Sequence, residues 1–442
     1  MYYRKVYKSF DRWLSKNKRR VLLVEGARQV GKTTAIIEYA KKHFDNLVVI
    51  NLITDERAKY IFSNVKGAHG FKEAIEFFIR KVLNGTTAIF IDEIIEVPNL
   101  LTYIKSLVEE NKYTYIMSGS LLGVTLKDVH SQPVGFLESV TMYPMDFEEY
   151  LLSTGKYDEK YIENLKTYLT NDIVVPEIIH EDMIKELRKY IVIGGLPDAV
   201  KEYNSKHNTN LVNDVQKDII NLYKKDASKY EEKDKLIINE IYDLLPSQLE
   251  NKNKRFILKE LNETAKYRKY ENDFVRLVNA GIALKCNCAS EPFFPLKISE
   301  ARNLFKLYMN DVGLLSSLLF KGREEKILFN EKSINLGSVY ENFAAEELST
   351  HGFNLYFYNQ RKVGEVDFLI EEDEGVIPIE IKSGKDYTTH SALTKLLNEK
   401  KYDIKKAYIF SDYNKRIEGK RIYLPIYLLP FLNNNDFEGI IF

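Results

Sequence analysis

A glycine-rich turn between an apolar segment and a helical segment constrains the fold of this chain more than any other feature. The segment GARQVGKTT, residues 26–34, has two glycines five positions apart and a Lys-Thr pair directly after the second. Apolar residues 21–24 predict a buried parallel strand before it, and the periodicity of residues 33–42 predicts a helix after it. Glycines let the backbone turn its N–H groups inward, and a helix start favours an anion. The sequence therefore predicts a phosphate-binding loop.

The residue types in this loop indicate what it would hold. Lys32 is expected between the β- and γ-phosphates of ATP, and the hydroxyl of Thr33 is expected to bind Mg²⁺. An accidental glycine-rich turn is the alternative, but the strand and helix on either side disfavour it. The residues expected to contact the nucleotide here are Gly26, Ala27, Arg28, Gln29, Val30, Gly31, Lys32, Thr33 and Thr34.

Two further apolar segments end in polar residues that suit nucleotide chemistry. The segment AIFI precedes Asp92, expected to bind magnesium, and Glu93, expected to activate the attacking water. Two solvated carboxylates at a strand end are the alternative. Residues 113–118 end at Ser118, whose hydroxyl could reach the γ-phosphate or the water. With residues 47–51, these segments predict a parallel α/β sheet.

The middle of the chain predicts two further modules. Residues 151–235 are charge-mixed and helical in period, which favours a helical lid against the nucleotide domain. Residues 236–320 predict three helices and then two strands, the order of a winged helix. Lys266, Arg268 and Lys269 alternate with tyrosines at the start of the third helix, which suits phosphate contact and groove entry on DNA. Docking of a protein is the alternative.

A second set of charged residues lies near the end of the chain. Glu341 is expected on an amphipathic helix, and Asp367 at the head of a hairpin whose returning strand carries Glu380 and Lys382. With a period of two, Glu380 and Lys382 point to one face. Such carboxylates could bind a divalent cation that activates water, while Lys382 stabilises charge on a phosphate. Glu and Lys alternating on a solvated edge strand is the alternative.

The chain resembles a family of bacterial and archaeal AAA-type ATPases through the ordered segments GARQVGKTT, AIFIDEI, YIMSGSLLGV, MYPMDFEEYL and YIVIGGLPDAV. The resemblance implies that Lys32 and Glu93 serve ATP hydrolysis and that Ser118 senses the γ-phosphate. Its last domain resembles the restriction-endonuclease fold, which implies a catalytic and metal site at Glu341, Asp367, Glu380 and Lys382. The expected domains are an ATPase core over residues 1–150, a helical lid over 151–235, a winged helix over 236–320 and a restriction-endonuclease-like α/β domain over 321–442.

The chain departs from that family where relatives carry an Arg that could act on a neighbouring subunit's ATP. Here Phe136 follows Gly135, and no Arg occurs from Leu121 until Arg188. A ring with an arginine finger at the usual position is therefore not expected. Arg188 could act on ATP of its own chain or be an ordinary surface residue. A protein partner or a homo-oligomer remains open.

Composition excludes several classes of protein. Lys plus Arg and Asp plus Glu both number 64, so the chain as a whole has no positive field for coating nucleic acid. No run of 18 apolar residues occurs, so neither a membrane helix nor membrane binding is predicted, and a cytoplasmic location is expected. Cys286 and Cys288 have no His close by and are expected to be small buried residues rather than zinc ligands.

Two functions fit these expectations best. In the first, ATP binding and hydrolysis gate a nucleic-acid-binding, nuclease-like C-terminal domain. In the alternative, ATP is only a conformational ligand, and an inactive nuclease fold docks DNA or a protein. A kinase for nucleosides or other small molecules is disfavoured, because the sequence has no evident second substrate pocket.

Overall fold

The chain divides into two compact units in a computed structural model. The structure describes residues 2–16, 20–79, 85–119, 135–226, 232–261, 263, 267–331, 334–372 and 375–434. We call Tyr3–Tyr143 together with Val275–Ile282 the P-loop unit. The C-terminal unit consists of Tyr2, Pro144–Phe274 and Ala283–Phe442.

The P-loop unit is built around a parallel sheet, as the sequence predicts. Its strands are β1 (Val21–Glu25), β2 (Asn46–Asn51), β3 (Thr87–Asp92), β4 (Thr114–Gly119) and β5 (Leu137–Thr141), in the spatial order β2-β3-β4-β1-β5. Its helices include α1 (Val6–Ser15), α2 (Lys32–His43), α3 (Glu56–Ser63), α4 (Gly67–Phe78) and α5 (Ile104–Glu110). Because all five strands run parallel, the carboxyl ends of β1, β3 and β4 meet at one edge.

An apolar core holds this sheet rigid. Phe62, Phe71 and Ile104 come from three different helices and pack in one cluster with Leu23 and Ile91 of the sheet. Every residue of β3 is buried, as expected for a strand covered on both faces. Each large apolar side chain buried in this way stabilises the unit by about 1.5–3 kcal/mol. The strand ends that carry polar residues are therefore fixed in position.

The C-terminal unit contains a mixed sheet of eight described strands. These are β6 (Ala283–Ala289), β7 (Glu300–Met309), β8 (Tyr356–Gln360), β9 (Gly364–Glu372), β10 (Gly375–Ile381), β11 (Ala407–Ser411), β12 (Arg416–Glu418) and β13 (Arg421–Pro425). Their spatial order is β12-β13-β11-β10-β9-β8-β6-β7. The predicted hairpin around Asp367 and Glu380 is formed by β9 and β10, which pair antiparallel.

Helices before, between and after these strands complete the C-terminal unit. The first group is α6 (Phe147–Ser153), α7 (Glu159–Thr170), α8 (Glu177–Ile193), α9 (Pro197–Lys206), α10 (Thr209–Asp226), α11 (Glu232–Glu250) and α12 (Tyr267–Asn279). The second group is α13 (Val312–Phe320), α14 (Glu325–Leu328), α15 (Gly337–Thr350) and α16 (Ser391–Asn398). Helix α12 belongs to this unit up to Phe274. In the described part of the chain, no helix is long and apolar enough to cross a membrane.

The hairpin expected as the wing of a separate winged helix is instead one edge of the eight-stranded sheet. Strand β6 pairs antiparallel with β7 and parallel with β8, where Asn287 lies opposite Tyr356. The predicted boundary between residues 320 and 321 therefore does not separate this hairpin from the C-terminal strands. Cys286 and Cys288 lie on β6 and are buried, as expected.

The helices expected as a lid pack within the C-terminal unit. Gly195 donates its N–H to Asp311 Oδ2 at 2.7 Å and accepts from Met145 N at 2.7 Å. A Cβ on Gly195 would lie 1.8 Å from the carbonyl oxygen of Met145, so only glycine fits there. The hydroxyl of Ser316 on α13 donates to the carbonyl of Ile191 on α8 at 2.8 Å. These contacts explain the Gly-Gly pair as a packing requirement, and the role as a lid stays a prediction.

Candidate functional site

The predicted phosphate-binding loop connects β1 to α2. Gly26 has φ +147° and Gly31 has φ +92°, values that other residues rarely adopt. A Cβ on Gly26 would lie 2.1 Å from the carbonyl oxygen of Met142, so the close backbone approach also requires glycine. Gly31 directly precedes α2, whose first N–H groups have no acceptor within the helix. The loop therefore has the arrangement that binds anions at a helix start.

Lys32 is held inside this loop by backbone carbonyls. Its Nζ donates to the carbonyl oxygen of Gly26 at 2.9 Å and to that of Ala27 at 2.8 Å. Only 6% of the residue is exposed. The ammonium group is therefore positioned at the loop by the loop itself.

Asp92, at the end of β3, is the centre of a polar cluster. Its Oδ2 accepts from Thr33 Oγ1 at 3.0 Å and from Asn51 Nδ2 at 2.9 Å, and its Oδ1 accepts from the hydroxyl of Ser118. These three donors come from α2, β2 and β4 and fix the orientation of the carboxylate. Oxygens bound to Mg²⁺ at right angles lie about 3.0 Å apart, because Mg–O bonds measure about 2.1 Å. Thr33 and Asp92 therefore fit a shared magnesium ion.

Glu93 follows Asp92 in a strained backbone conformation. Its φ of 57° and ψ of 53° lie in the left-handed region, which is uncommon for residues other than glycine. Such a conformation is unfavourable by roughly 1 kcal/mol or more and persists where the surroundings impose it. The Glu93 N–H donates to Ser118 Oγ at 3.2 Å, so the same hydroxyl contacts both acidic residues. The turn after β3 is therefore part of the polar cluster.

Sequence reasoning missed Arg4 and Asn51. Arg4 is buried and donates to the carbonyl of Val30 in the loop and to that of Tyr143, both at 2.7 Å. No motif marks Arg4, because it lies far from the loop in sequence. Asn51 does carry a signal: it ends an apolar strand beside β3, where it lies opposite Asp92.

In the C-terminal unit, Glu341 on α15 is neutralised by cations of the protein. Lys306 Nζ lies 2.8 Å from Glu341 Oε1 and 2.9 Å from Glu365 Oε1, and Lys254 and Tyr308 also contact the Glu341 carboxylate. Burial disfavours the charged carboxylate, but Lys254 and Lys306 outweigh that effect and lower the pKa of Glu341 to about 2. Glu341 is therefore ionised, and its charge is balanced by two lysines.

Asp367 and Glu380 lie on neighbouring strands of the hairpin. Asp367 Oδ2 accepts from Ile381 N at 2.8 Å, and Lys382 Nζ lies 3.0 Å from Glu380 Oε2. Burial, followed by the charge of Asp367, raises the pKa of Glu380 to about 8. Burial, followed by the negative charge of Glu341, also raises the pKa of Asp367. The two carboxyl groups therefore repel each other when both are ionised.

The described residues do not bring the three predicted carboxylates into one metal-binding group. Among the described residues, Asp146, Glu347 and His351 form a different group of possible metal ligands. One ligand atom of each lies within 4.8 Å of the other two. Glu341 is engaged with lysines, which leaves Asp367 and Glu380 as two carboxylates that could share one cation.

Two of the three predicted basic residues at the start of α12 lie among the described residues, and both are exposed. Arg268 and Lys269 are exposed, whereas Tyr267 is buried and stacks on Phe274 with ring centroids 6.1 Å apart. The tyrosines that alternate with the basic residues are therefore core residues. Lys266 lies outside the described residues. Sequence reasoning missed Arg302, which is exposed on β7 and lines a depression of about 610 Å³ together with Arg268.

Arg188 is engaged within the C-terminal unit. Its Nη2 lies 3.4 Å from Asp412 Oδ2, and the hydroxyl of Tyr340 donates to Asp412 Oδ1 at 2.7 Å. Arg188 is thus neither a plain surface residue nor free to reach a phosphate without breaking this pair. Phe136, which follows Gly135 where the resembling family carries an Arg, packs against the apolar core of the P-loop unit.

Comparison with protein families supports the P-loop unit. Residues 18–151 match a family described as an AAA domain. Residues 184–325 and 336–429 match two families described as domains of unknown function, DUF8612 and DUF4143. The predicted AAA-type P-loop ATPase domain is therefore confirmed, and neither of the other descriptions mentions a nuclease.

Two proteins of Methanocaldococcus jannaschii are similar to this chain in sequence, and two solved structures align with it. Uncharacterized protein MJ1544 of Methanocaldococcus jannaschii is 24% identical over 362 residues, which are 79% of this chain and 72% of that protein. Uncharacterized protein MJ1637 of the same organism is 23% identical over 94% of this chain and 85% of its own length. A Walker-type ATPase of Pyrococcus abyssi aligns over 72% of this chain and 96% of its own, with 14% identity and a TM-score of 0.43. The RuvB Holliday junction branch migration motor of Thermotoga maritima aligns over 63% and 87%, with 15% identity and a TM-score of 0.29.

Proposed function

We propose that this protein binds and hydrolyses ATP and that its nucleotide state controls nucleic-acid binding by the C-terminal unit. The observation that carries the proposal is the convergence of Thr33, Asn51 and Ser118 on the carboxylate of Asp92. Lys32 lies in the adjoining loop with its ammonium group already in place. A cluster with only a structural role would not need this loop beside it.

Each of these residues has a proposed role in ATP hydrolysis. Thr33 and Asp92 would hold Mg²⁺, which neutralises phosphate charge when bound. Lys32 binds the β- and γ-phosphates, and Ser118 contacts the γ-phosphate or the attacking water. Glu93 accepts a proton from that water as the water oxygen forms a bond to the γ-phosphorus, while the bond from the γ-phosphorus to the bridging oxygen breaks and ADP leaves with that oxygen.

Replacing Glu93 by Gln tests this assignment. We expect Glu93→Gln to bind ATP within about twofold of the parent, because the phosphate contacts remain, and to release phosphate at least about a hundredfold more slowly. The matched control is Glu96→Gln, which removes a nearby carboxylate paired with Lys59 at 2.6 Å and should leave the rate unchanged. Hydrolysis by Glu93→Gln at the parent rate would show that another group activates the water.

A second candidate activity is metal-dependent cleavage of nucleic acid at the β9–β10 hairpin. It is favoured by the pair of carboxyl groups at Asp367 and Glu380 with Lys382 beside them. In that reaction, water would attack the phosphodiester phosphorus, the bond to one ester oxygen would break, and that oxygen would take up a proton. Lys382 would stabilise the charge on the phosphate, and Glu341 would act as a positioning residue through its ion pairs.

Substitution separates this activity from an inactive fold that only docks DNA. If the hairpin cleaves, Asp367→Asn and Lys382→Ala should each abolish nicking of plasmid DNA with Mg²⁺ or Mn²⁺ while the ATPase rate is retained. The matched control is Lys385→Ala, which changes a nearby exposed lysine. A parent protein that nicks neither single-stranded nor duplex DNA with ATP and either metal would refute cleavage. A change of DNA affinity in Asp367→Asn would then favour docking.

A further inference from the structure

We propose that Asp146, Glu347 and His351 bind one zinc ion within the C-terminal unit, independently of ATP. Asp146 directly precedes α6, Glu347 lies in the last turn of α15, and His351 follows that helix by one residue. One ligand atom of each residue lies within 4.8 Å of the other two. The ion would join the start of α6 to the end of α15.

Backbone hydrogen bonds fix both carboxylates in place. Asp146 Oδ1 accepts from Glu149 N at 2.8 Å, and Glu347 Oε1 accepts from Phe147 N at 2.8 Å. Both carboxylates therefore use one oxygen to hold the first turn of α6, where N–H groups lack acceptors within the helix. Their orientation is set before any ion arrives, which lowers the entropy lost on binding.

The other oxygen of each carboxylate lies near the imidazole ring. Asp146 Oδ2 is 3.2 Å from His351 Nε2, and Glu347 Oε2 is 3.9 Å from His351 Nδ1. Tetrahedral ligands bound to zinc at about 2.0–2.1 Å lie about 3.3 Å apart. The first distance fits that geometry, so Nε2 is the ring nitrogen that would bind the zinc. The Glu347 carboxylate has a ligand atom within 4.8 Å of the other two and would move closer to complete the set. Water can supply the fourth ligand.

Burial and charge favour a cation at this place. Asp146 is 1% exposed and Glu347 is fully buried, so two carboxylates share an environment with little water. A divalent ion would offset the repulsion between these two carboxylates more fully than hydrogen bonds do. The side chain of His351 is 8% exposed.

The donor set selects the metal. Imidazole nitrogen together with carboxylate oxygen suits zinc, whereas magnesium and calcium prefer oxygen alone. The alternative is a protonated imidazole that bridges the carboxylates as an ion pair. That arrangement would respond to pH and would be indifferent to zinc, so the two are separable by experiment.

Calorimetric titration of ZnCl₂ into the full chain tests the site. The protein is prepared without a histidine tag, and excess Mg²⁺ is added to occupy sites made of oxygen ligands alone. We expect one zinc per chain, at least about a hundredfold weaker binding in His351→Gln and Asp146→Asn, and parent affinity in Asp367→Asn. The matched control is His69→Gln, because His69 forms an exposed pair with Glu73 at the same spacing as Glu347 and His351.

Cobalt substitution of the parent protein tests the ligands without any variant. Tetrahedral nitrogen and oxygen ligands should give visible d–d absorption without sulfur-to-metal charge transfer. Charge transfer would place the ion at Cys286 and Cys288 and overturn the proposal. Zinc binding below one-tenth of an equivalent, or parent affinity in His351→Gln, would also overturn it, in favour of the imidazolium ion pair. Because these readouts do not depend on ATP, they leave the ATPase proposal untouched.

Discussion

At the scale of residues, the carboxylates around Asp92 and around Glu341 are stabilised in different ways. Asp92 is surrounded by neutral donors from three elements, so its carboxylate can still take a cation. Glu341 is surrounded by lysines and is already neutralised. Glu380 is intermediate, because Lys382 lies near it while burial and Asp367 favour its neutral form. These carboxylates therefore differ in how readily they can bind a cation.

The raised pKa of Glu380 predicts a dependence of stability on pH. Its pKa is about 8 in the folded protein and about 4.5 ordinarily, so the folded state holds the extra proton between these values. The free energy of unfolding must therefore fall as the pH rises through that window. Glu380→Gln removes this titration. We expect it to be more stable than the parent at pH 9, by at most about 5 kcal/mol, and close to the parent at pH 5.

Urea unfolding at pH 5, 7 and 9 checks this expectation. The matched control is Glu325→Gln, which changes an exposed carboxylate on α14 and should follow the parent at each pH. A difference between Glu380→Gln and the parent that stays constant with pH would contradict the assigned proton.

Sequence reasoning found the residues of the P-loop because their spacing is local. Lys32 and Thr33 belong to one short motif, and Asp92 ends a strand with a clear apolar pattern. Arg4 and Lys306 could not be found in this way. Each reaches its partner through the tertiary fold, and a buried Lys looks in sequence like a solvated one.

At the scale of elements, the β6–β7 hairpin shows that the sequence pattern predicts strands without predicting which further strand they pair with. The sequence predicted both strands and their order after α12. Which further strand β6 would pair with depends on contacts far apart in sequence, and β8 begins only after α15. An alternating strand pattern is the same in a free wing and at a sheet edge. The hairpin was therefore predictable, and its place in the eight-stranded sheet was not.

The exposed basic residues beside this hairpin predict how DNA binding depends on salt. We expect combined replacement of Arg268, Lys269 and Arg302 by Gln to weaken DNA binding, because fewer counterions are released from the phosphates. The slope of log affinity against log salt should become shallower by about 2–3 in a fluorescence anisotropy titration. Lys206→Gln with Lys217→Gln, two exposed lysines of α9 and α10, is the matched control. An unchanged affinity and slope would favour protein docking.

At the scale of the whole molecule, four modules were expected and the chain divides into two compact units. Local pattern identified most segments of regular structure, but module boundaries depend on which surfaces bury one another. The contacts among Met145, Gly195 and Asp311 belong to three segments assigned to three different modules, and they pack together in the C-terminal unit. The order of motifs along the chain does not show which segments pack into the same unit.

Phosphate release from ATP by the full chain tests the central claim of ATP hydrolysis most directly. We expect the parent to release phosphate in the presence of Mg²⁺, and Lys32→Ala to release it at least about a hundredfold more slowly, because the loop loses its charge on the β- and γ-phosphates. Lys42→Ala, an exposed lysine in the last turn of the same helix, should match the parent. A parent that releases no phosphate, or a Lys32→Ala variant that releases it at the parent rate, would contradict ATP hydrolysis at this loop.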